Sequence, residues 1–81
     1  MDIKPLTMRT HDLGLAAALV SSGFELRATS RDKNGRFYFL FRQSKDLNRA
    51  VDAYWADRLE VKARNFFDNI KMLKSIIYSD E

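Results

Sequence analysis

The sequence predicts a small single α+β domain in the order helix, strand, strand, helix, helix, with an antiparallel hairpin packed against the helices. Three observations carry that prediction. Residues 24–43 form two alternating runs joined at Asn34-Gly35, the strongest short-range signal for a two-residue type I′ turn. The segments on either side of the hairpin repeat apolar residues at helical spacing. The chain has 81 residues, 46% of them hydrophobic and 12% aromatic, enough for one packed core and too few for two.

Residues 1–9 hold the single proline, Pro5, and no periodicity, so they read as an irregular lead-in to a domain over residues 10–78. Thr10 is the expected N-cap of the first helix, with Asp12 in its first turn. Leu13, Ala16, Ala17, Leu19 and Val20 follow at helical spacing. Gly23 falls where a C′ glycine belongs, and Phe24 can fold back on Leu19 to complete a Schellman ending. Gly14 inside the helix costs about 1 kcal/mol relative to alanine, which suggests a close contact there.

In the hairpin, a two-residue turn sets Lys33 opposite Arg36, Ala28 opposite Phe41 and Ser30 opposite Phe39. One face then carries Phe24, Leu26, Ala28, Phe37, Phe39 and Phe41. The other carries Glu25, Arg27, Thr29, Arg31, Lys33, Arg36, Tyr38, Leu40 and Arg42. Ser44 is the expected N-cap of the next helix, which runs to about Asp57 with Leu47, Ala50, Val51, Tyr54 and Trp55 as its apolar stripe. Adjacent helical residues point about 100° apart, yet the expected outcome for Tyr54 and Trp55 is a buried pair. An exposed Trp55 would instead be an aromatic anchor for a partner. Residues 59–61 alternate briefly and read as a bend or a short third strand, which a marginal two-stranded hairpin needs from somewhere. A last helix from about Lys62 to Tyr78 places Ala63, Phe66, Phe67, Ile70, Leu73, Ile76 and Ile77 on one wide stripe. Residues 79–81 are an acidic frayed end.

The capped Asp-Leu helix ending in Ser-Gly-Phe, the aromatic hairpin, Val51-Asp52-Ala53-Tyr54-Trp55 and the closing Phe66-Phe67…Lys74-Ser75-Ile76-Ile77-Tyr78 resemble a family of small bacterial and phage proteins catalogued only as a domain of unknown function. The Tyr54-Trp55 pair and Leu73-Lys74-Ser75 carry most of the resemblance. Members usually have a proline at the start of the last helix, where this chain has Lys62-Ala63. The resemblance implies an origin in a phage, prophage or bacterium, and brings no activity or site residues.

Chemistry is sparse. The formal net charge is +3, and residues 24–43 alone hold five basic and two acidic side chains. The lone His11 reads as a surface residue rather than a general base. Gly14, Gly23 and Gly35 are too scattered to cradle a phosphate, and no ligand spacing suggests a metal or cofactor. No catalytic residue is expected. The distinctive surface is the outer hairpin face, where Arg27, Arg31, Lys33, Arg36 and Arg42 surround Tyr38. Basic residues interleaved with an aromatic suit single-stranded nucleic acid. The same face also reads as a charged guard against sheet aggregation, or as a protein contact through Tyr38 and Leu40, a second copy of the chain included, with Trp55 of the following helix as the other candidate contact residue. The expected function is that of a non-enzymatic accessory protein of a phage or mobile element, binding nucleic acid weakly. No membrane-length apolar run occurs, and the absence of cysteine suits the cytoplasm. No small-molecule substrate is inferred.

Overall fold

A computed structural model describes residues 6–79. The elements are β1 (Thr7–Thr10), α1 (Leu13–Ser21), β2 (Leu26–Arg31), β3 (Phe37–Arg42), α2 (Lys45–Trp55) and α3 (Ala63–Ser79). The expected α+β class, with its hairpin and three helices, is what the chain forms. The sheet has three antiparallel strands in the order β1-β3-β2. Its third strand comes from residues 7–10 and not from residues 59–61, which are outside any strand. The expected irregular lead-in is therefore ordered over Thr7–Arg9, while residues 1–5 lie outside the described residues; of the expected frayed end, Ser79 belongs to α3 and residues 80–81 lie outside the described residues.

The helix α1 is the centre of the core. Leu15 to Leu19 are each at most 3% exposed, and the run Ala16-Ala17-Ala18 leaves room for neighbours on every side. Leu47 of α2, Leu73 of α3, and Phe39 and Phe41 of β3 are also fully buried in this cluster. Burying each such side chain contributes about 1.5–3 kcal/mol. The cap moves from the expected Thr10 to Asp12, whose carboxylate accepts from the Leu15 amide at 2.8 Å. Thr10 ends β1 instead and turns its hydroxyl to the Asp12 amide at 3.0 Å. The far end closes as expected: Gly23 donates to the Val20 carbonyl and Phe24 to the Leu19 carbonyl, both at 3.0 Å, with Gly23 at φ +99°. These are the two bonds of a Schellman motif.

The contact at Gly14 is with α2. A methyl group there would lie 2.6 Å from the Tyr54 hydroxyl, so the missing side chain admits the ring. Ser44 caps α2 as expected, accepting from the Leu47 amide at 3.0 Å. Trp55 departs from expectation: it is 61% exposed, standing edge-on to Tyr54 with ring centroids 5.0 Å apart. Tyr54 takes the inward position, and one residue further rotates Trp55 out by about 100°. Phe67 is likewise 61% exposed. The buried line of α3 runs through Phe66, Ile70, Leu73 and Ile77, and Phe67 falls a residue's rotation off it; the Lys71 ammonium covers its ring at 5.3 Å. Asn69 on the other flank of that line bonds the Ser21 hydroxyl at 2.9 Å, tying α3 to α1.

Candidate nucleic-acid interface

The hairpin register differs from expectation by one residue, and the cause is local. Arg31 pairs with Phe37, Ser30 with Tyr38, Thr29 with Phe39 and Ala28 with Leu40. The loop has three residues, Lys33, Asn34 and Gly35, closed by Asp32 N–H donating to the Arg36 carbonyl and Gly35 N–H to the Asp32 carbonyl, both at 2.9 Å. Gly35 sits at φ +81°, the position where a three-residue loop needs a left-handed residue. The Asp32 side chain selects this loop: its Oδ1 accepts from the amides of Asn34 at 2.9 Å and Arg36 at 3.0 Å. A two-residue turn at Asn34-Gly35 would forgo both bonds.

A one-residue slip sends every side chain of the slipped strand to the other face. Ala28 therefore shares a face with Leu40, not with Phe41, and Thr29 turns toward Phe39. Arg31 lies on the helix-facing side, its guanidinium 5.4 Å from the Phe37 ring centroid and donating to the Gly35 carbonyl at 2.9 Å. A bulge at Arg27 absorbs the extra residue, so Leu26 returns to pair with Phe41. Arg27 itself is exposed and ion-paired with Glu25 at 3.2 Å.

The five basic residues expected on one face are thus dispersed. Arg42 stays on the outer face with Tyr38 and Leu40; Lys33 and Arg36 stand exposed at the loop; Arg27 marks the bulge and Arg31 leaves. In their place β1 supplies Arg9, paired with Leu40, and Thr7, paired with Arg42. The Arg9 guanidinium lies 5.0 Å from the Tyr38 ring centroid. His11 meets the same ring edge-on at 5.8 Å, and its Nε2 is 3.0 Å from Asp32 Oδ2. The Arg36 amide chiefly, with the Asn34 amide and His11, holds the Asp32 carboxyl below its ordinary pKa against a partial desolvation that opposes it.

Arg9 and His11 escaped sequence reasoning. The available signal was the Thr-Met-Arg-Thr alternation of β1, only four residues long. The resulting outer face has half-buried Tyr38 and Leu40 on the central strand, ringed by exposed Thr7, Arg9, Ala28, Ser30 and Arg42. Trp55, the other expected contact residue, belongs to α2 and not to this sheet face. Among the described residues no group of three or more His, Cys, Asp and Glu side chains could hold a metal ion. No helix there is long and apolar enough to cross a membrane.

A family model described as a domain of unknown function (DUF5659) matches residues 6–79. No curated protein and no solved structure matches the chain.

Proposed function

This chain belongs to that family, and we propose that it is a non-enzymatic accessory protein, of a phage or mobile element as the sequence resemblance implies, that binds single-stranded nucleic acid on its open sheet face. The observation that carries the reading is the placing of Arg9 beside Tyr38 and Leu40 on the neighbouring strand, with Arg42 next along β3 after Leu40, on the sheet face turned away from the buried Phe39 and Phe41. Arginines neutralise phosphates, and both a tyrosine ring and a guanidinium plane accept a stacked base. The Arg9 guanidinium and the Tyr38 ring, 5.0 Å apart, put both kinds of group in one place. Lys33 and Arg36 at the loop extend the positive edge.

With two to four cations in reach of phosphates, log K against log salt for a single strand should fall with a slope of about −1.5 to −3. Tyr38→Ala should weaken a single-stranded oligonucleotide by about 1–3 kcal/mol, and Arg9→Glu should flatten the slope. Fluorescence titration at two salt concentrations reads both. Absence of binding at about 50 mM salt, where attraction is least screened, would remove the reading. A solution mass above the monomer that falls when Leu40 is made polar would assign the face to a second copy of the chain.

A further inference from the structure

At one end of the open face lies a cleft of about 660 Å³ between the start of β1, the bulge of β2, the end of β3 and the first turn of α2. Arg27, Arg42 and Lys45 line it from three different elements, with Gln43, Ser44 and Asn48 between them and, among the described residues, no acidic residue in its wall. We infer that this cleft binds a phosphate group, carried by a nucleotide unit. The inference deepens the strand-binding reading and rests on it for the source of the phosphate, while the chemistry of the cleft is tested separately.

Charge comes first. Among the described residues Arg42 and Lys45 have no ion-pair partner; Arg27 keeps one exposed link to Glu25. Arg42 and Lys45, with Arg27 beside them, line one concavity, and an anion there would gain charge-assisted hydrogen bonds that the two unpaired cations lack. The backbone adds to it. Ser44 Oγ takes the Leu47 amide and the Ser44 carbonyl takes the Asn48 amide, which leaves the Lys45 and Asp46 amides at the positive end of α2. Gln43 ends in a buried amide oxygen without a hydrogen-bond partner. Buried polar groups are ordinarily paired, but this oxygen is closed to solvent and to a ligand in the cleft; the amide NH2 is the end of Gln43 left to donate to an anion.

Size and continuity choose the ligand. A bare phosphate would fill little of 660 Å³, whereas sites of about 300–1,000 Å³ take ligands with a ring or sugar attached. Thr7 and Arg42 are cross-strand partners that border both the cleft and the open face. A strand stacked at Tyr38 therefore reaches the cleft about 13 Å further along β3.

The test is an amide NMR titration of the intact chain with inorganic phosphate, thymidine, thymidine 5′-monophosphate and a short oligothymidylate. The monophosphate should shift the Lys45 and Asp46 amides, and thymidine should not. Arg27→Gln with Lys45→Gln, both exposed positions, should weaken the monophosphate by about tenfold or more, and Tyr38→Ala should leave that response intact. Tighter binding of monophosphate than of phosphate supports the nucleotide as source; an equal response keeps the phosphate chemistry and assigns free phosphate. Silent cleft amides while the oligothymidylate binds would overturn the cleft alone. A cleft response without oligothymidylate binding would overturn only the open-face reading.

Discussion

Two residues show how single side chains are held against their preferences. Asp57 follows α2 in the left-handed region at φ +60°, and Arg58 donates to the Ala53 carbonyl at 2.8 Å to close the helix. The left-handed conformation costs an L-residue roughly 1–2 kcal/mol, less for aspartate than for most. A carboxylate at the negative end of a helix dipole adds to that cost. Asp57→Gly should therefore stabilise the domain by about 0.5–1 kcal/mol after the larger unfolded-state entropy of glycine is deducted; a denaturant midpoint that falls would contradict this. At Gly14 the opposite holds. Alanine has the better helix propensity by about 1 kcal/mol, but its methyl group would meet the Tyr54 hydroxyl at 2.6 Å, and overpacking costs about 1–3 kcal/mol. Gly14→Ala should destabilise the wild type and become neutral or stabilising once Tyr54→Phe removes the hydroxyl. The same crowding agrees with the Tyr54 phenol, whose pKa burial raises, with the nearby Asp12 charge contributing less.

Among the elements, the hairpin is where local chemistry overrode pattern. Asn34-Gly35 fits two loops, one of two residues and one of three, and alternation alone placed the phenylalanines on one face in either case. The decision belongs to the Asp32 carboxylate, which holds the Asn34 and Arg36 amides. Because its folded pKa is depressed, its contribution is present above the ordinary carboxylate range and lost as pH falls through the folded value. Asp32→Asn keeps an acceptor oxygen and removes the charge, so the gap in denaturant midpoint between wild type and variant should be open at pH 7 and shrink toward pH 3. A gap constant across that range would show that the charge contributes nothing. Where the deciding bonds span a few residues and one loop competes with no other, the sequence was readable: Ser44 caps α2 and Gly23-Phe24 closes α1 as expected. Arg9 could not be read in this way, because its place beside Tyr38 depends on pairing with a strand some thirty residues later. The bulge at Arg27 compensates a slip that was itself unforeseen.

For the whole molecule, everything converges on α1, whose alanines let the phenylalanines of β3 and the leucines of α2 and α3 meet. Phe39→Ala removes a ring only 1% exposed and should cost about 3–5 kcal/mol, a large share of the about 5–15 kcal/mol typical of a domain. Chemical denaturation at 25 °C reads it, and a loss below about 1 kcal/mol would mean that the sheet slides to refill the space. The strand order has a further consequence, for the tempo of opening. β1 touches only β3 in the sheet, and the Gln43 amide bonds the Leu6 carbonyl at 2.9 Å. By the alternation of an antiparallel ladder, the Phe41 and Phe39 amides also point toward β1, and those of Leu40 and Tyr38 toward β2. Peeling away four residues is a smaller event than opening the hairpin, so hydrogen exchange along this one strand should alternate. The amides of Phe39, Phe41 and Gln43 then exchange ahead of those of Tyr38 and Leu40, and each such opening lifts Arg9 off Tyr38 and bares a strand edge to any second chain nearby.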